Sequence, residues 1–137
     1  MKALVRWLDV AAFLAFSGLL LFFYGRWSLR FVAGMAIAAT GLVLWIVARR
    51  QLGTSFSPRA QAKVLVTTGL YARLSNPIYL FGQVAYLGLA IAWGNPAGFI
   101  FVALTCVAQF LRIRKERAVL EQAYGDQYRA YLAGTWF

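Results

Sequence analysis

Residues 74–111 read LSNPIYLFGQVAYLGLAIAWGNPAGFIFVALTCVAQFL, 38 positions without a charged side chain. As one straight helix they would be ~57 Å long, about twice a bilayer core of ~30 Å. The run must therefore turn round, and Gly94-Asn95-Pro96 near its middle is a turn signal. Two helices are expected, Pro77–Trp93 and a second beginning near Pro96–Gly98. The first has a marked start at Asn76-Pro77, since Asn is a good N-cap and Pro is favoured at the first helical position. A helix start presents free backbone N–H groups and a positive dipole end, which suits an anion.

Two more charge-free runs lie upstream, Val10–Gly25 and Phe31–Ala48. They predict helices over about Val5–Tyr24 and Leu29–Ala48, joined by the short turn Gly25-Arg26-Trp27-Ser28. Trp7 and Tyr24 fall near the ends of the first, where interfacial aromatics belong. Asp9 is expected in the headgroup zone. In the second, Gly34, Ala38 and Gly41 recur at near-helical spacing, as close helix packing wants. The reading is an all-α polytopic membrane protein, one domain over residues 1–137. It has about four transmembrane helices and a C-terminal cytosolic helix over Arg112–Leu132, with Gly125 as a break.

Composition agrees. The 137 residues are 62% hydrophobic, with 14 Lys or Arg against four acids and a net charge of +10. The basic residues sit at the ends of apolar runs, as membrane proteins place them, so nucleic-acid binding is rejected. There is no histidine, and the single cysteine, Cys106, lies inside an apolar run. Imidazole shuttles, Ser–His triads, cysteine metal sites and intrachain disulfides are excluded together. The first apolar run is long and no small-x-small site follows it, so it is read as a retained helix rather than a cleaved leader. No feature sets an oligomeric state.

Lys and Arg counts set the orientation. Arg49, Arg50, Arg59, Lys63 and Arg73 lie in or beside the loop Gln51–Leu74. Arg112, Arg114, Lys115, Arg117 and Arg129 lie in the C-terminal segment, and the Gly94–Gly98 turn has none. Four spans then put the large loop and both termini in the cytoplasm, against the weaker vote of Arg26 and Arg30. The two polar segments, 51–79 and 112–132, share that face. Within the second, Arg112 and Glu116 are four apart and share a helix face continued by Leu120. Tyr124, Tyr128 and Tyr131 recur at about helical spacing. Taken alone, each of these features is equally at home on an ordinary helix surface.

Together they resemble a known superfamily. Thr67-Thr68-Gly69-Leu70-Tyr71 followed by Asn76-Pro77-Ile78-Tyr79 resembles the signature of isoprenylcysteine carboxyl methyltransferases and phospholipid N-methyltransferases. Arg112-x-x-x-Glu116, Leu120, Tyr124-Gly125, Tyr128 and Tyr131 resemble its C-terminal pattern. The likeness runs over about residues 50–137 and fits a bacterial-type member. It implies a methyltransferase that uses S-adenosylmethionine, in a bacterial inner membrane, acting on a lipid or other lipophilic small molecule. By position, Gly69, Tyr71, Asn76, Pro77, Tyr79 and Tyr128 would line the cofactor site. Arg112 and Glu116 would stand as its catalytic pair, with Glu116 also on the cofactor's ammonium group. Ser75 stands where the family often has Arg, and Arg117 where many members have a second Glu. Arg73 is the candidate to supply the missing positive charge. A non-catalytic protein keeping the fold, and a related membrane reductase, remain alternatives. No Gly-x-Gly-x-x-Gly fingerprint follows a strand.

Overall fold

The computed structural model describes the backbone of residues 2–24, 27–53 and 65–136, and side chains within these apart from those of residues 2–7, 9 and 24. Asp9, Trp7 and Tyr24, the Arg26 turn, and Arg59 and Lys63 of the large loop therefore lie outside the described side chains. Four α-helices follow in order: α1 Lys2–Tyr24, α2 Leu29–Leu52, α3 Pro77–Trp93 and α4 Pro96–Ala133. A 3-10 turn, Gly69–Ala72, precedes α3. The described residues contain no strand. Helices α2 and α4 are long and apolar enough to cross a membrane, with mean hydropathy of 2.2 and 1.7 over their best windows. The described apolar stretch of α1, Val10–Phe23, and α3 are shorter. At 17 residues, α3 would reach ~26 Å, just under the thickness of a bilayer core.

The seam between α2 and α3 is the frame. Gly34, Ala38, Gly41, Trp45 and Ala48 are buried in α2, spaced by alternating fours and threes. Such a repeat keeps one stripe facing a partner along the helix. Gly82, Ala85, Gly88, Leu89 and Ala92 answer from α3. The backbones come so close that a Cβ on Gly41 would lie 2.5 Å from the Ala85 nitrogen. A Cβ on Gly88 would strike the backbone of Ala38. Further along, Gly82 leaves room for the Trp45 ring. Small residues let the two backbones approach this closely.

Helix α1 starts three residues before the expected Val5, and α2 ends later than expected, while α4 runs on through the C-terminal segment as the sequence suggests. Helix α2 runs one turn past Ala48, so Arg49 and Arg50 are inside it. Arg49 falls four residues after Trp45 on the buried stripe and is 1% exposed. Helix α4 is one 38-residue element, and its only interruption is Gly125, at φ 50°, ψ −122°. That conformation strains any residue with a Cβ, and it bends the last two turns back towards the polar loop. The starts of α2, α3 and α4 sit where the sequence put them, but the caps of the last two differ. Asn95 accepts from the Ala97 N–H at 2.9 Å. The Asn76 side chain makes no capping bond and instead donates from Nδ2 to the Ser75 hydroxyl at 2.7 Å.

Candidate functional site

The 3-10 turn, the first turn of α3, the last turn of α2 and the 112–131 part of α4 meet at one end of the bundle. Gly69 has φ +64°, and a Cβ there would meet the Gln51 side chain. Glycine is needed on both counts. Gln51 Oε1 accepts from the Leu70 N–H at 2.8 Å, which ties the turn to the end of α2. From the other side, the Tyr131 hydroxyl donates to the Tyr71 carbonyl at 2.8 Å. The Trp136 N–H donates to the Arg73 carbonyl at 2.8 Å. The turn is thus held between α2 and the bent end of α4.

Glu116 is the centre of the arrangement. Its Oε1 accepts from the Tyr79 hydroxyl at 2.6 Å and from Arg112 Nε at 3.0 Å. The Arg112 guanidinium also lies over the Tyr79 ring, 5.5 Å from its centroid. This ties α3 to α4 with charge-assisted bonds, the stronger kind. Among the described residues both bonds go to Oε1, which leaves Oε2 able to accept from a cation.

Tyrosines surround that carboxylate. Tyr71 is buried, and its hydroxyl has no hydrogen-bond partner among the described residues. Burial pushes its phenol well above the ordinary value; nearby Tyr131 and the Glu116 charge add to this, and Arg49 pulls back. Tyr128 is 3% exposed. Its phenol is also raised, first by burial, with Glu116 and Glu121 adding and Arg117 opposing. Tyr131 is pushed up to about 12 by burial and by Tyr128. All three phenols stay protonated at neutral pH.

Of the residues singled out from the sequence, Tyr71, Tyr79, Arg112, Glu116 and Tyr128 are gathered here, with Gly69, Asn76 and Pro77 on the adjoining turn and helix start. Arg73 is placed differently. It is exposed, and its guanidinium lies 5.9 Å from the centroid of the Trp136 ring. Arg49 was missed as a site neighbour. It lies buried over the Trp45 ring at 5.3 Å, and its charge acts on Tyr71. The signal was its place in the 34–38–41–45 stripe, which its charge type concealed.

The residues fit the donor proposed from the sequence. Among the described residues a carboxylate oxygen is open to an ammonium group, a helix start is left uncapped by its side chain, and phenol rings can lie against a sulfonium. Comparison with known proteins bears on the same region. The phospholipid methyltransferase family matches residues 29–127. A phosphatidylethanolamine N-methyltransferase of Candida albicans is 29% identical over 115 residues, 82% of this chain and 12% of the relative. One from Candida dubliniensis is 32% identical over 78 residues, 55% of this chain and 9% of the relative. The chain thus spans about a tenth of the length of these relatives. The family match takes in α2, α3 and α4 as far as Gln127, including Tyr79, Arg112 and Glu116, and on that ground the chain belongs to the phospholipid methyltransferase family.

Proposed function

We propose that this chain is an integral membrane methyltransferase dependent on S-adenosylmethionine, with its site at the cytosolic face. All four helices cross the bilayer, and both termini are cytoplasmic, in a bacterial inner membrane. The acceptor is a lipid, and the relatives' activity as phosphatidylethanolamine N-methyltransferases favours the amine of an ethanolamine phospholipid over a carboxylate. The observation that carries this reading is Glu116, held between Tyr79 and Arg112 and facing the 69–76 turn, with one oxygen uncommitted among the described residues.

S-Adenosylmethionine supplies an activated methyl group when bound. The residues supply position, which is most of what an in-line displacement needs. Glu116 Oε2 would hold the ammonium group. The start of α3, with Arg112, would hold the carboxylate. Tyr71 and Tyr128 would cover the sulfonium or the adenine. Pro77 is fully buried, which fixes the helix start against the frame. An amine acceptor must shed a proton before attack. The buried phenols favour their protonated form, so they make poor bases, and Glu116 is the better acceptor for that proton. A carboxylate acceptor would need no base.

The test uses vesicles containing phosphatidylethanolamine and labelled methyl donor. The expected outcome is labelled N-methylated lipid with the native chain, and at least tenfold less with Glu116→Gln. Binding of S-adenosylhomocysteine without methylation of any amine lipid would point instead to a carboxylate acceptor. Absence of both would favour a non-catalytic protein that keeps the fold.

A further inference from the structure

A second feature lies at the other end of the bundle. Helices α1, α3 and α4 enclose a cavity of about 400 Å³, almost wholly apolar. That is the size of a small-molecule pocket. Its walls are largely aromatic. Phe16 meets Trp93 edge-on at 5.9 Å, Phe13 meets Tyr86 at 5.9 Å, and Tyr86 meets Phe101 at 5.5 Å. Along α3, Tyr86 and Trp93 lie ~10 and ~21 Å beyond Tyr79. The cavity is therefore remote from Glu116, in the half of the bundle that carries the Gly94 turn.

One cation packs a single residue beyond the cavity wall. Gly94 has φ +67°, and the space a Cβ would take there is filled by the Arg30 guanidinium. Arg30 is exposed at the start of α2. Among the described residues it is the only Lys or Arg at this end of the bundle. Trp27, three residues before it, is 91% exposed, as suits an interfacial aromatic. An apolar cavity of this kind does not hold water. Gly94, against which the guanidinium lies, follows directly on Trp93 of the cavity wall, and an apolar cavity next to a cation matches a molecule with an anionic head and a hydrocarbon tail.

We propose that the cavity is a binding site for a phospholipid of the leaflet opposite Glu116. One acyl chain lies between Phe13, Tyr86 and Ala90, and the phosphate lies on Arg30. Guanidinium–phosphate pairing sets the head, and the aromatic walls set the depth of the tail. The site is separate from the methyl-transfer reading and stands or falls without it, but it requires α1, α3 and α4 to lie in the bilayer.

The test uses the full chain in phosphatidylcholine vesicles with a trace of phosphatidylglycerol carrying a photoactivatable diazirine near the end of one acyl chain. A diacylglycerol with the same chain is the second probe. After illumination, labelled residues are mapped by mass spectrometry. Phe13, Leu89 and Ala90 are at most 4% exposed, so labels on them report the cavity, while Leu104 and Val107, exposed on α4, report the lipid belt. The proposal expects cavity labelling by the phospholipid several-fold above that by diacylglycerol. Arg30→Gln should lower it to the diacylglycerol level. Ala12→Trp, which fills the cavity, should remove it and leave the belt labels. Labels confined to the belt would overturn the site. Cavity labels equal for both probes, or unmoved by Arg30→Gln, would overturn the phosphate contact.

Discussion

Helix α3 has two unlike sides. Towards α2 it presents Gly82, Ala85, Gly88 and Ala92, and the two backbones nearly touch. Towards α1 and α4 it presents Tyr86, Leu89 and Trp93, and these leave a cavity. The first side can move little, because backbone meets backbone. The second is made of rings that meet at 5.5–5.9 Å and can yield to a guest. The difference explains how one short helix serves a site at its start. Its rigid side fixes where Tyr79 stands, and Tyr79 reaches Glu116 across to α4 at 2.6 Å. The pliant side faces the cavity and carries none of that geometry.

Breaking the rigid side should cost most. Gly88→Leu forces a side chain into the backbone of Ala38. Overpacking against backbone exceeds the usual range for core substitutions, so a loss of more than about 4 kcal/mol is expected. Thermal unfolding in detergent should show little or no folded protein. Next comes the link between the frame and the site. Tyr79→Phe removes the bond to the Glu116 carboxylate and should weaken S-adenosylhomocysteine binding about tenfold, since a bond to a charged group contributes about 1.5–3 kcal/mol. The unfolding temperature should change little. On the pliant side, Phe16→Ala removes one edge contact with Trp93, worth about 0.5–1.5 kcal/mol. It should lower stability by about that much and leave methyl transfer intact. An equal loss from Gly88→Leu and Phe16→Ala would erase the contrast.

The smallest effect is set by pH. Folding raises the Tyr131 phenol from its ordinary value near 10 to about 12, because burial favours the neutral form. Stability from this group is fully present below pH 10 and is lost as pH rises through about 12. Unfolding curves should therefore shift downward over that window, and Tyr131→Phe should reduce the slope. The same variant loses the bond to the Tyr71 carbonyl, a loss of about 1 kcal/mol at neutral pH.

How much of this was legible beforehand depended on range along the chain. Helix α3 was readable to the residue, since Asn76-Pro77 and Gly94-Asn95-Pro96 punctuate both ends. The Arg112–Glu116 pair was readable because it is local, one helical turn. The end of α2 was misplaced by a turn, since a pair of arginines reads as a boundary when charge alone is weighed. Arg49 shows why that fails. Helical phase, set by Gly41 and Trp45, outranks charge in deciding which face is buried. The partnership of Tyr79 with Glu116 spans 37 residues, and that of Tyr131 with Tyr71 spans 60. No spacing rule reaches so far; the first follows from how α3 packs on α4, the second from how α4 bends at Gly125. The cavity was not legible at all, because it depends on what three helices fail to fill.

The central claim is that Glu116 is the anchor of a methyl-donor site. Calorimetric titration of S-adenosylhomocysteine into the detergent-purified chain and into Glu116→Ala tests it most directly. The account predicts saturable binding to the native chain and an affinity lower by about 100-fold in the variant, with folding retained by its unfolding profile. Equal affinity in a folded variant would contradict it.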